Sequence, residues 1–210
     1  DIYRGRLSVS SPEEAATVVD KIIGYEKRPP TDAGFYERGV NCADYLDNDN
    51  GVADDYEDRR YVQTAEEIRA YMLGQGKDVE RVYSTNYEIT PKYWNRNWFS
   101  FGEPIPEDML KPAFAWDGNE GDIRRAINSG VFYVLHRDHG LVDCWENPYF
   151  SVKHVDMLQN GDLLPVVFCV NCDNGAFQAD CLAERFLRKQ GGGAVAVIAA
   201  SDISYSGYND

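Results

Sequence analysis

Residues His136 to Phe177 read HRDHGLVDCWENPYFSVKHVDMLQNGDLLPVVFCVNCDNGAF. This stretch holds His136, His139 and His154, the chain's three histidines, together with Cys144, Cys169 and Cys172. Two apolar runs, Val131 to Leu135 and Leu164 to Val170, each lead into a polar loop: His136-Arg-Asp-His139-Gly140 after the first, Asn171-Cys172-Asp-Asn-Gly175 after the second. Short apolar runs of this kind read as fully buried strands. Laid parallel in one sheet, they bring both loops to the carboxyl edge, where open α/β sheets keep their sites. A histidine and a cysteine meeting there can act as base and nucleophile.

Working outward, the elements alternate. Ile2 to Val9 is a strand candidate. Ser11-Pro12-Glu13-Glu14 starts a helix, with Ser as cap, Pro in the first turn and an acid three residues after the cap. Ala15, Val18, Val19, Ile22 and Ile23 continue it at helical spacing, and Pro29-Pro30 ends it. Gly39 to Ala43 is a short strand candidate. Thr64-Ala-Glu-Glu67 reads as a capping box, with Ile68, Tyr71 and Met72 as the apolar stripe and Gly74 as the stop. Val79 to Tyr83 is a strand, Asp122 to Asn128 a helix, and Ser151 to Leu158 helical. Asp180 can cap a helix burying Leu182, Ala183, Phe186 and Leu187. Ala194 to Ala200 reads as a buried strand of small residues. The alternation predicts an α/β layered fold with a mainly parallel sheet. Residues 84–119 break the pattern, being rich in proline and aromatics, including Trp94, Trp98 and Trp116. They are expected to form a long loop packed over the sheet; an aromatic wall for an extended substrate is the alternative.

With 210 residues, 43% of them hydrophobic, the chain can bury a sizeable core in one domain or one domain plus an appendage. The opening DIYRGRLSV has no apolar signal core, which suggests a mature or excised chain. Lys and Arg number 21 against 35 Asp and Glu, a net charge of −14. That balance argues against a nucleic-acid partner, which needs a basic face. No apolar run is long enough to span a membrane. Five cysteines leave at least one thiol unpaired within the chain.

Three constellations carry chemistry. The first is His139 with Cys172, where Gly140 lets a substrate carbonyl approach the backbone so that its N–H can serve an oxyanion hole. The second is a rival: Cys169-x-x-Cys172 with His136-x-x-His139 supplies four ligands of the kind zinc accepts. The third is the acidic run Asp44, Asp47, Asp49, Asp54, Asp55, Glu57 and Asp58. It reads as a solvated loop, a calcium site with Asp47 and Asp49 among the ligands, or a pocket for a basic group. It is not a regular EF-hand, because Gly51 at the sixth loop position puts Leu46 at the first.

The residues also carry a family resemblance. DHGLVDCW resembles the histidine motif GHG-x-x-x-x-W of the gingipain cysteine endopeptidases. PVVFCVNCDNGAF resembles their cysteine motif, and CLAERFLR, GGAVAVIAAS and Ser204-Tyr205 resemble the helix, strand and Ser-Trp segment that follow. DIYRGRLSV and the helix ending KIIGYEK resemble their entry segment. The resemblance runs along nearly all of the chain and is most specific from Tyr133 to Ser204. It implies a caspase-like three-layer α/β sandwich with a mainly parallel sheet, and identifies residues 1–210 as the catalytic subdomain of a longer precursor. It implies Cys172 as nucleophile, His139 as general base and acid, and the backbone N–H groups of Gly140 and Cys172 as oxyanion donors. Asp44 falls at the acid that orients the histidine. Asp54 falls at the pocket acid of the arginine-cleaving members, with Asp47, Asp55 and Asp58 as neighbouring candidates. Trp145, Ser204 and Tyr205 join the substrate-binding set, Tyr205 standing where the family has Trp. Arg137-Asp138 replaces the usual small residue and glycine before the histidine. The expected partners are a peptide or protein substrate and other segments of the same precursor. The chemistry requires no cofactor, calcium being at most structural, and the family implies a secreted or cell-surface bacterial location. A binding module with the zinc or calcium site is the alternative.

Overall fold

The structure, a computed structural model, describes residues 5–49, 51–97 and 101–205. Its centre is a five-stranded, wholly parallel sheet. The strands are β1 (Arg38–Tyr45), β2 (Asp78–Thr85), β3 (Tyr133–Arg137), β7 (Val166–Val170) and β8 (Ala196–Ala199), in the order β2-β1-β3-β7-β8. Between β3 and β7 the chain makes a small antiparallel sheet from β4 (Gly140–Leu141), β5 (Cys144–Trp145) and β6 (Phe150–Ser151). The helices are α1 (Pro12–Lys27), α2 (Ala33–Glu37), α3 (Tyr61–Gly74), α4 (Glu120–Asn128), α5 (Val152–Asp156) and α6 (Leu182–Arg188).

Strand alternation sorts the side chains into two cores. Val40, Cys42, Val134, Val167 and Cys169 face α4, α5 and α6, with Ile123, Ile127, Val155, Leu182 and Phe186 closing over them. Ala43, Tyr45, Tyr83, Tyr133 and Leu135 face the other way, against Val62 and Ala65 of α3 and Ile89, Ile105, Met109 and Trp116 of the long loop. The result is a three-layer sandwich. The described residues between 86 and 119 therefore supply part of a core layer: Trp116 is buried against Tyr45, Tyr83 and Phe114. Trp98 lies outside the described residues, as do Asn50 and the first part of the expected strand from Ile2.

Several expectations are corrected. Residues 5–9 form no strand. Helix α3 starts at Tyr61, so Thr64 is interior, and the cap is supplied from upstream: the Glu57 carboxylate accepts from Val62 N at 2.7 Å and Gln63 N at 3.4 Å. A carboxylate on the first-turn amides suits the positive end of the helix dipole. The cap of α6 is Cys181, with Glu184 bonding back to its N–H, in place of Asp180. Strand β8 is a half-covered edge, with Ile198 60% exposed, because nothing in the described structure pairs beyond it. Strand β3 runs to Arg137 and so includes His136, which had been read as loop.

Candidate active site

Strands β3 and β7 pair in parallel, with Arg137 opposite Val170, so their loops leave the sheet side by side. His139, on the β3 loop, and Cys172, on the β7 loop, line one cleft. Arg59, Tyr61, Arg137, Asp138, Asn171, Ile203, Ser204 and Tyr205 complete its wall. The His139 ring stands edge-on to Tyr61, centroids 5.5 Å apart. The guanidinium of Arg137, on the α3 side of the sheet, covers the Tyr61 ring at 4.6 Å and reaches the Val170 carbonyl at 3.3 Å.

Cys172 is half-buried, whereas Cys42, Cys144, Cys169 and Cys181 are buried. Burial pushes the Cys42 thiol above its usual range, and Cys169 up to about 12, leaving both un-ionised at neutral pH. The Cys172 sulfur is bracketed by one residue: Ser204 N donates to it at 3.4 Å, and it donates to Ser204 O at 3.5 Å. The loop that presents Cys172 is a tight turn. Asp173 takes φ 58°, Asn174 N donates to Cys172 O at 2.7 Å, and Gly175 N donates to Ala200 O at 2.8 Å.

Gly140 also has a packing reason to lack a side chain. A Cβ there would meet Asn171 Cγ at 2.6 Å and Cys172 O at 2.7 Å. The glycine thus lets the two loops touch each other.

Trp145 is not a substrate contact. It is fully buried beneath the sheet's edge, stacked on His136 with ring centroids 4.5 Å apart and planes 3° from parallel. Its motif spacing places it under the histidine loop as a support. Ser204 and Tyr205, by contrast, line the cleft, and Tyr205 is 70% exposed.

The acidic run does not converge on the cleft. Asp44 is buried at the end of β1 and accepts from Ser84 Oγ at 2.5 Å. It lines a neighbouring cleft with Asn147, and burial raises its carboxyl to about 6. Asp54 pairs with Arg96 at 2.5 Å and Asp55 with Lys92 at 2.8 Å. Asp58 accepts from Asp49 N, and Asp49 pairs with Arg59 at 2.7 Å. Asp47 accepts from Asp54 N and Asp55 N. Each carboxylate thus has a protein partner, and no group of three or more metal-binding side chains gathers among the described residues. The donor set does not fit the calcium site expected at Asp47 and Asp49. The zinc set fails for a related reason: both ring nitrogens of His136 are committed to Asn147 and Asn171.

The carboxylate that does line the cleft is Asp138. Its Oδ2 accepts from Asn147 N at 2.9 Å, while Oδ1 is buried without a hydrogen-bond partner. Burial, reinforced by Asp44 nearby, pushes its carboxyl well above the usual range. Sequence reading noted Asp138 only as a departure from a motif. It missed Asn171 and Tyr61; the position of Asn171 beside Cys172 was a signal, whereas Tyr61 had none.

The whole chain, residues 1–210, matches the model of peptidase family C25. Gingipain R2 of Porphyromonas gingivalis is 26% identical over 210 residues, covering 96% of this chain and 24% of that protein. Lys-gingipain of the same species is 25% identical over 210 residues, covering 99% of this chain and 10% of that protein. The chain thus spans about a quarter or less of these relatives. Two solved structures share the fold. The Arg-specific cysteine proteinase gingipain R aligns at TM-score 0.69 and 24% identity, covering 96% of this chain and 40% of that one. The complex of Porphyromonas gingivalis RgpB pro- and mature domains aligns at 0.71 and 23%, covering 98% and 42%.

Proposed function

Because the chain belongs to peptidase family C25, we propose that it carries the catalytic machinery of a cysteine endopeptidase cleaving after Arg or Lys. The observation behind this is the single cleft that His139 and Cys172 line at the carboxyl edge of the sheet. In the reaction, the Cys172 sulfur attacks the peptide carbonyl as His139 takes the thiol proton. The backbone N–H groups of Gly140 and Cys172 hold the oxyanion. His139 gives its proton to the leaving amine as the C–N bond breaks. Water, deprotonated by His139, then attacks the thioester, and the proton returns to sulfur as the acid product leaves.

The basic preference is supported by the names of the relatives and by an acid in the cleft wall. Asp54, Asp55 and Asp58 were the expected readers of a cationic side chain, yet their ion pairs and hydrogen bonds lie elsewhere. Asp138 lines the cleft and keeps one buried carboxyl oxygen without a hydrogen-bond partner; it is the reader proposed here, a bound cation drawing its raised carboxyl into the ionised form. Asp44 is kept as an acid acting on the histidine loop through its neighbour Asn147, the two sharing a cleft. An extracellular bacterial location is proposed from the relatives' source. No described helix is long and apolar enough to cross a membrane.

A library of peptides with varied residues before the cut tests the reading. Preferential hydrolysis after Arg or Lys, lost on alkylation of Cys172, is expected. Hydrolysis that survives alkylation refutes the mechanism, and a preference for apolar residues refutes the specificity.

A further inference from the structure

His136 sits one turn of pleat from the catalytic loop and takes no part in the mechanism above. It is fully buried, an unusual place for an imidazole. Register puts it between Cys42 and Cys169 on neighbouring strands, on the face that carries Trp145. Its hydrogen bonds lead in two directions. On one side, Asn171 Nδ2 meets His136 Nδ1 at 2.8 Å, and Asn171 directly precedes Cys172. On the other, His136 Nε2 meets Asn147 O at 3.0 Å, and the same residue's N–H holds Asp138, which directly precedes His139.

The direction of every bond in this chain is fixed by its far end. Leu141 O and Cys144 O can only accept, so Asn174 turns its Nδ2 toward them. Asn174 Oδ1 is then left to accept from Asn171 Nδ2, at 2.7 Å. The same amide nitrogen therefore donates to His136 Nδ1 as well, and the imidazole must donate from Nε2 to the Asn147 carbonyl. One tautomer satisfies the whole chain, and the parallel stack on Trp145 fixes the plane of the ring. Burial holds the ring neutral, lowering its pKa to about 3.

We propose that His136 is a positioning residue for the peptidase reaction: as a neutral, Nε2-protonated imidazole it ties the Cys172 loop to the His139 loop. This rests on the assignment of those two residues as nucleophile and base. The tie spans the two loops, whose backbones meet at Gly140, so losing it frees one loop to move against the other. A misplacement of about 1 Å between reacting groups can cost on the order of 100-fold in rate.

The test compares wild type with His136→Phe, Asn171→Ala and His136→Gln. Phe keeps a planar ring on Trp145 and removes both hydrogen bonds. Ala at 171 leaves the ring in place and removes one. Gln can donate and accept. Each protein is first shown to melt cooperatively. Two quantities are then read: kcat and KM on a peptide cleaved after Arg, and the rate of Cys172 alkylation by iodoacetamide from pH 5 to 9. The expected result is a kcat roughly 10- to 100-fold lower in His136→Phe with KM little changed. The pH profile of alkylation should shift with it, Asn171→Ala should fall between, and His136→Gln should recover part of the loss. A purely structural role would lower the melting temperature and leave both profiles in place. Should His136→Phe fail to fold, Asn171→Ala decides. Either variant folded, with kcat and alkylation within about twofold of wild type, overturns the proposal. Cys172→Ala is the control: if it is inactive while His136→Phe is silent, only the positioning role falls; if it still cleaves, the peptidase reading falls.

Discussion

Acidification from pH 7 to 5 should destabilise the fold through His136 by an amount the structure allows to be worked out. Burial is the main cause of its lowered pKa, about 3 against an ordinary value of 6.5; its bond to Asn147 pulls the other way, and Arg137 and His139 add to the lowering. A folded-state pKa below the unfolded one means that the unfolded chain binds the extra proton. The stabilisation is complete above about pH 6.5 and is lost progressively as the pH falls toward 3. Down to pH 5 the loss covers about 1.5 pH units, or about 2 kcal/mol at 1.36 kcal/mol per unit. Asp44 works in the opposite sense over part of the same window, since its carboxyl is raised to about 6. The raw pH dependence therefore mixes the two, and a variant must separate them. Urea unfolding of wild type and His136→Gln at pH 5, 6 and 7 does so. The difference between the two proteins should change by about 2 kcal/mol across that range, whatever the Gln variant's absolute stability. Parallel curves, differing by a constant within about 0.5 kcal/mol, would refute the buried neutral imidazole.

Cys172→Ala should reduce turnover by several orders of magnitude with the fold intact, while Cys169→Ala keeps activity; initial rates with circular dichroism as the check decide it. Asp138→Asn keeps an oxygen for Asn147 N and removes the carboxyl that would ionise against a bound guanidinium, so kcat/KM for an Arg peptide should fall by the equivalent of roughly 2–4 kcal/mol. Asp54→Asn should leave that constant nearly unchanged; the reverse outcome would return the pocket to the acidic loop. Asp44→Asn should stabilise the protein at pH 7 by on the order of 1–3 kcal/mol and not at pH 4, because a carboxyl raised to about 6 is penalised only once it ionises. Chemical denaturation at the two pH values would show equal effects if Asp44 were not buried as a carboxylic acid. Calcium should move the melting temperature by less than about 2 °C, as a gain of 1 kcal/mol shifts a domain of this size by about 2–4 °C. A larger rise would mean that the ion displaces Arg59, Lys92 or Arg96 from the loop carboxylates.

The sequence by itself determined the layers, the parallel sheet and the meeting of the His139 and Cys172 loops at one edge. These depend on local signals: apolar runs of strand length, helix periodicity and two Gly-containing loops at the strand ends. It also singled out His139 and Cys172, because their chemistry is legible from residue type and motif order. Only the tertiary structure decided what each polar group is paired with. The acids of residues 44–58 crowd together in sequence, yet Arg96, Lys92 and Arg59 draw Asp54, Asp55 and Asp49 to separate partners. Strand length was equally nonlocal: β3 extends over His136 and Arg137 because β1 and β7 on either side continue to offer hydrogen bonds. That extension turns a loop histidine into a buried one stacked on Trp145, and turns Asp138 from a motif departure into the acid of the cleft. A side chain's periodicity is written in its neighbours along the chain, whereas its hydrogen-bond partner depends on which strand lies beside it.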